Sequence, residues 1–184
     1  MNSISHIFPV LTVKNVGERD FVEFWSALYP TKNEPIYQAN IGKPHTDQRL
    51  LALFEWKNNG PIAKQKLASI RRNYIDSMPT PPTPGDSRSL EAFITQPGGA
   101  IWRIFWLHCH APSQYPIFDQ HVYRAMRRLL VGHPEEIPRT NAEKAKAYVE
   151  QYIPFHSTFK FPNAKKIDEA LWSYGKYLKG IYAL

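Results

Sequence analysis

The chain has 184 residues, 43% hydrophobic and 14% aromatic, with a formal net charge of +7 and an isoelectric point of about 9.5. That composition supports one core-bearing domain, and the basic balance favours acidic partners, nucleic acid first. A single cysteine, Cys109, excludes an internal disulfide framework; no apolar window is long enough for a membrane span; and "MNSISHIFPVLTV" lacks the basic start and long apolar run of a signal peptide, so a reducing cytoplasm is the expected setting.

Along the chain, "IFPVLTV" reads as one short strand or an extended arm. "RDFVEFWSALY" then places Phe21, Phe24, Trp25 and Leu28 at helical spacings, and "DQRLLALFEWK" does the same with Leu50, Leu53 and Phe54. "KNNG" predicts a tight turn closed by Gly60. "PIAKQKLASIRRNYI" follows as a helix with Pro61 in its first turn, Ile62, Leu67, Ile70 and Ile75 on one face, and Lys64, Lys66, Arg71 and Arg72 on a solvated one. The run Ser77–Ser87, "SMPTPPTPGDS", cannot continue a helix and is either an exposed connector between two lobes or a functional loop.

Beyond it, the pattern predicts a helix to about Gln96, a "PGG" turn, and a helix from Ala100 to about His110 that Pro112 and Pro116 close. "FDQHVYRAMRRLL" is the next helix, followed by the loop "GHPEEIPRT", with Thr140 or Asn141 capping "AEKAKAYVEQYI". "AKKIDEALWSYGKYLKGIY" is the last, capped by Asn163 and striped by Ile167, Ala170, Leu171, Tyr174, Leu178 and Ile181. The expected fold class is therefore all-α: a compact multi-helix domain over residues 1–184, with loop 77–87 as the place where two lobes would divide.

In "FDQHVYRAMRRLL", Phe118, Val122, Ala125, Met126, Leu129 and Leu130 fall on one side of a helical wheel. Gln120, His121, Arg124, Arg127 and Arg128 fall on the other, which predicts a core face and a basic face. Asp119 lies at the edge of the apolar arc, in the first turn. An acid there is either a helix cap, accepting backbone hydrogen bonds at the positive end of the dipole, or a shielded working carboxylate.

This segment resembles the helix-hairpin-helix DNA glycosylases, in which a glycine-containing hairpin and a helix lead to Pro-Val-Asp-x-His-Val-x-Arg. Here "PGG" (Pro97–Gly99) and a helix lead to "PIFDQHVYRAMRRL", in which Asp119, His121, Val122 and Arg124 match position by position. The resemblance spans about 35 residues. It implies a DNA-glycosylase-like helical fold, with Asp119 assisting departure of a base by stabilising positive charge on the sugar. It also implies duplex DNA or another nucleic acid as partner, held by the amides of Gly98 and Gly99 with Arg103, His121, Arg124, Arg127 and Arg128. Trp102, Trp106 and Tyr115 would wall a pocket for an extruded base. The hairpin is shortened to "QPGGAIW", and Phe118 is one residue more than the family pattern. Ala100 or Ile101 stands where bifunctional members carry a lysine, so a monofunctional enzyme is expected, with no iron–sulfur loop. A non-catalytic nucleic-acid-binding module and a nucleoside or small-molecule binder are the alternatives.

His108 and His110 in "HCH" point roughly 200° apart on a helix and cannot share an ion, and Cys109 has no activating partner in view, so neither a metal nor a cofactor is expected. No Gly-rich phosphate loop or nucleophile elbow is present. "WKNNG" and "IDEALWSYGKYLK" stand out in composition with no mechanism attached.

Overall fold

A computed structural model describes residues 14–83 and 85–182, so the "IFPVLTV" expectation lies outside the described residues. These residues form helices and no strand. In chain order the α-helices are α1 (Glu18–Ala27), α2 (Glu34–Asn40), α3 (Asp47–Lys57), α4 (Lys64–Ile70), α5 (Ser87–Ile94), α6 (Ala100–His110), α7 (Gln120–Val131), α8 (Asn141–Lys146), α9 (Ile153–Ser157) and α10 (Ala164–Tyr182). Two π-helical turns, Arg71–Ile75 after α4 and Ala147–Tyr152 between α8 and α9, carry buried tyrosines into the core.

Local chemistry sets many of these boundaries. At the end of α3, Gly60 N–H reaches Glu55 O at 3.0 Å and Asn59 N–H reaches Trp56 O at 2.9 Å. This is a Schellman closure whose left-handed residue is Asn59 (φ 58°), one before the glycine. Thr140, not Asn141, caps α8, in a capping box with Glu143. Asn163 caps α10 through the Lys166 N–H at 3.2 Å. Pro61 lies outside α4, which begins three residues later at Lys64. The short α2, with Pro35 in its first turn, and α9 were not anticipated from spacing, because seven and five residues offer too few turns for an apolar stripe.

A single hydrophobic cluster runs through residues on both sides of loop 77–87, from Val22, Phe54 and Tyr74 to Trp106, Met126 and Leu171. The α7 and α10 helices pack together, and α1 packs on α10. Gly175 makes the first contact tight: any Cβ there would strike the backbone carbonyl of His121. The predicted division of α7 into a core face and a basic face is corrected on both sides. Arg124 is fully buried, and its guanidinium donates to Gly175 O at 3.1 Å and to the Glu136 carboxylate. Leu129 and Leu130 are exposed. The close α7–α10 crossing explains the burial of Arg124, since the Gly175 carbonyl provides an acceptor where a wheel assigns the position to solvent.

Candidate functional site

Asp119 sits at the end of a loop that is fixed at three consecutive residues by buried side chains. The His108 Nδ1–H donates to Tyr115 O at 2.8 Å, the Tyr148 hydroxyl donates to Pro116 O at 3.1 Å, and Ile117 N–H donates to Asp168 Oδ2 at 3.4 Å. A carbonyl only accepts, so the proton of His108 is on Nδ1, and its Nε2 accepts from Tyr37 Oη–H at 2.7 Å. Burial drives the pKa of His108 down to about 4, which keeps the ring neutral. Phe118, the residue in excess of the family pattern, fills the core against Tyr148 and Tyr152 with ring centroids 5.3 and 5.1 Å away. Loop 115–118 is thus rigid by packing and by hydrogen bonding, which is what a preorganised carboxylate requires.

Both accounts of Asp119 describe the same geometry. Its Oδ1 accepts from the N–H groups of His121 (2.8 Å) and Val122 (3.2 Å), so it caps α7. Its Oδ2 takes a 2.9 Å hydrogen bond from Lys57 Nζ, the last residue of α3. Its side chain remains 17% exposed and lines a cavity of about 460 Å³. Burial pushes the Asp119 pKa up, but the Lys57 ammonium, His121 and the Val122 amide outweigh it, and the carboxyl stays below its usual range. The group is therefore an anion at neutral pH, despite its shielding.

The cavity is assembled from the ends of distant segments. "WKNNG" contributes Trp56, Lys57 and Asn59; "IDEALWSYGKYLK" contributes Asp168, Glu169, Trp172 and Lys176; the turn before α2 contributes Tyr29 and Asn33, and the start of α2 contributes Glu34. Asn33 Nδ2 ties that turn to Asn59 Oδ1 at 3.0 Å. Glu34 accepts from Trp56 Nε1–H at 3.0 Å. Lys165 Nζ lies 3.0 Å from Glu34 and 3.1 Å from Glu169, among the rings of Tyr29, Tyr37 and Trp56. His121 Nδ1 faces the Arg124 guanidinium at 3.3 Å; arginine can only donate, so the imidazole proton is on Nε2. Desolvation lowers the His121 pKa against the pull of Asp119.

Of the residues singled out from the sequence, Asp119 and His121 line the cavity. Trp102, Trp106 and Tyr115 do not. Trp106 is fully buried and donates to Tyr74 O at 3.2 Å, the Tyr115 ring is in the core, and Trp102 stacks on Phe54 beneath Lys66. Trp56 and Trp172 are the tryptophans of the cavity wall. Arg103 is 5% exposed, and its Nε and a terminal nitrogen both donate to Pro97 O, so it ties down the "PGG" turn from inside. Gly98 and Gly99 have φ of +114° and +91°, and Gly98 presses on the Tyr74 hydroxyl with no room for a side chain. None of the turn lines the cavity. Arg124 pairs with Glu136, Arg127 with Glu135 at 2.7 Å, and Arg128 donates to Gly132 O at 2.7 Å, so the expected phosphate-gripping face is largely consumed by internal contacts. Among the described residues no helix is long and apolar enough to cross a membrane, and no cluster of three metal-ligating side chains occurs.

Compared with known proteins, the chain matches no family model, no curated protein and no solved structure.

Proposed function

We propose that the Asp119 cavity is a nucleobase pocket and that the protein is a monofunctional, DNA-glycosylase-like enzyme acting on an N-glycosidic bond. The observation that carries this reading is a capped, ion-paired carboxylate on a rigid loop, facing a cavity whose volume lies within the range of roughly 300–1,000 Å³ usual for ligand sites. Trp56, Trp172 and Tyr29 give the cavity an aromatic wall beside which an inserted base would sit. As the C1′–N bond breaks, its electron pair leaves with the base and the sugar becomes cationic. The fixed Asp119 anion stabilises that charge, and water then adds to C1′, its proton passing to the departed base. Lys57 holds the carboxylate in place and keeps it ionised.

A second reading, a pocket for a free nucleoside or nucleotide, draws support from the internal pairing of Arg124 and Arg127. That pairing removes the face of α7 that would have gripped a duplex. Release of free base from a panel of damaged and mismatched duplexes, scored as alkali-labile sites, tests the enzyme reading. Wild-type protein is expected to cleave at least one substrate and Asp119→Asn none. A silent wild type, or an active Asp119→Asn variant, overturns it.

A further inference from the structure

Two imidazoles that do not line the cavity lie face to face. His45, in the segment between α2 and α3, stacks on His110, the last residue of α6, with ring centroids 3.9 Å apart and planes 14° from parallel. The Trp106 ring lies against His110, with centroids 3.8 Å apart. Of residues 42–48, His45 alone is half-buried, and the others are exposed. No hydrogen bond among the described residues joins that stretch to α6. Its own bonds are local: Arg49 Nη1 donates to Pro44 O at 2.9 Å, and Thr46 Oγ1 accepts from Arg49 N–H at 3.3 Å. The His45 ring is therefore what anchors the segment on α6.

This anchor is built to hold while uncharged. His110 Nδ1 lies 2.9 Å from Trp106 O, and a carbonyl only accepts, so the neutral ring carries its proton there and an added proton goes to Nε2. Burial lowers the pKa of both rings below the ordinary 6.5, and His45 lowers that of His110 further, against the pull of the Trp106 carbonyl. No carboxylate on any element packed around the pair acts on either ring. The charged and titratable neighbours in the chain are Lys43, Asp47 and Arg49 beside His45, and His108 beside His110. Lys43 and Asp47 are exposed, Arg49 is turned to Pro44 O, and His108 is buried and neutral. A first proton on the stack thus loses solvation without gaining a counter-charge, and a second meets a like charge across the rings. We propose that the stack is an acid-release latch, in which protonation of the pair parts the rings and frees residues 42–46 from α6. Both rings bind protons more readily when released, so docking is complete above pH 6.5 and is lost as pH falls below it. The segment links α2 and α3, the helices that bring Glu34 and Lys57 to the cavity, so the latch sets a pH-sensitive joint between two parts of its wall. The latch is independent of the base-pocket reading.

The test is a nuclear magnetic resonance titration of the full chain from about pH 8 to 5, a range that stays above the His108 pKa of about 4. The imidazole C–H resonances of His45 and His110 report protonation, backbone order parameters of residues 42–46 report docking, and the buried Trp106 indole N–H reports the core. In the wild type both rings are expected to titrate below 6.5. The order parameters of the segment should fall in step with them, from about 0.85, the value of rigid backbone, to below about 0.6, while the Trp106 resonance stays in place. His45→Phe keeps a ring on the stack and removes its proton site. In that variant the segment should stay ordered across the whole range, and the His110 midpoint should rise, because the His45 charge is gone. His45→Ala, which removes the ring from a half-buried position, should leave the segment loose at every pH. Independent titration of the two rings at the ordinary value overturns the proposal. So does a segment as ordered at pH 5 as at pH 8, or a His45→Phe segment that loosens in acid as the wild type does. Loss of the Trp106 resonance together with segment order overturns it too, since release would then be unfolding of the core.

Discussion

Pro97–Gly99 and Tyr115–Asp119 are both short loops that lead into a helix, and both carry the family resemblance, yet their polar groups are disposed in opposite ways. Around Pro97–Gly99 they turn inward. Arg103 chelates Pro97 O, Ala100 N–H is taken by the Asn141 side chain at 3.2 Å, and Gly98 is closed off by Tyr74. Around Tyr115–Asp119 the backbone is secured just as firmly, by His108, Tyr148 and Asp168, but the last side chain is left facing open volume. A glycine-rich turn can thus be conformationally demanding and still serve packing. What marks a site is a secured backbone that ends in an anion beside empty space.

Substitutions should separate the two regions, beginning with the largest effect. Trp106→Ala, on the hairpin side, removes a fully buried indole and should cost about 3–5 kcal/mol in denaturant unfolding while leaving base release per folded molecule unchanged. A loss of activity beyond the loss of folded protein would merge the two regions.

The next effect is set by pH. Folded His108 has a pKa of about 4 against 6.5 in the unfolded chain, so the unfolded state takes up a proton first as pH falls. The stability present above pH 6.5 should decline between about pH 6.5 and 4 by roughly 3 kcal/mol and then level for this group, at 1.36 kcal/mol per pKa unit. The Asp119 contribution, with a folded pKa below the ordinary carboxylate value of 3.8, is present above that value and is lost only on further acidification. Melting curves of wild type and His108→Gln from pH 7 to 4 check this, and parallel curves would contradict it.

Gly175→Ala should cost about 1–3 kcal/mol by overpacking the α7–α10 crossing. Because the clash falls on the His121 carbonyl, it should also reduce activity per folded molecule, which Trp106→Ala should not.

Asp119→Asn should be the mildest of these in stability. Asparagine preserves the cap, but it leaves the Lys57 ammonium, 10% exposed, without its counter-charge. A cap alone implies a few tenths of a kcal/mol; the Lys57 pair raises the expectation to about 1–2 kcal/mol. Adding Lys57→Gln should recover part of that loss, and a double-mutant cycle on melting free energies measures the coupling.

Much of the helix plan was legible in the sequence. The end of α3 and the start of α10 follow from the "KNNG" turn and Asn163, both of them local signals with a physical mechanism. The α6 helix begins at Ala100 directly after the turn, as spacing predicts. Asp119 was legible as well, since a first-turn acid after a proline-rich loop is readable as cap and as carboxylate alike. The remainder of the site was not. Lys57 lies 62 residues before Asp119, and Asp168 lies 51 after Ile117. Both are delivered by helix packing, which leaves no periodic trace in the sequence. The same applies to Arg124. A helical wheel assigns arginine to solvent, and only Gly175, whose missing side chain lets its carbonyl come close, reverses that assignment. The unusual composition of "WKNNG" and "IDEALWSYGKYLK" was the available signal; both segments line the cavity, but composition did not show that they meet.

The central claim is that the Asp119 anion, and not the turn at Pro97–Gly99, carries the chemistry. Its most direct measurement is the single-turnover rate of base release, per folded molecule, for wild type, Asp119→Asn and Arg103→Met on whichever duplex the wild type cleaves. The account predicts that Asp119→Asn loses at least about a hundredfold, as removal of a group that stabilises transition-state charge does, while Arg103→Met keeps the wild-type rate once its lower stability is corrected for. An Asp119→Asn rate within a few-fold of wild type, or a loss in Arg103→Met equal to that in Asp119→Asn, would contradict it.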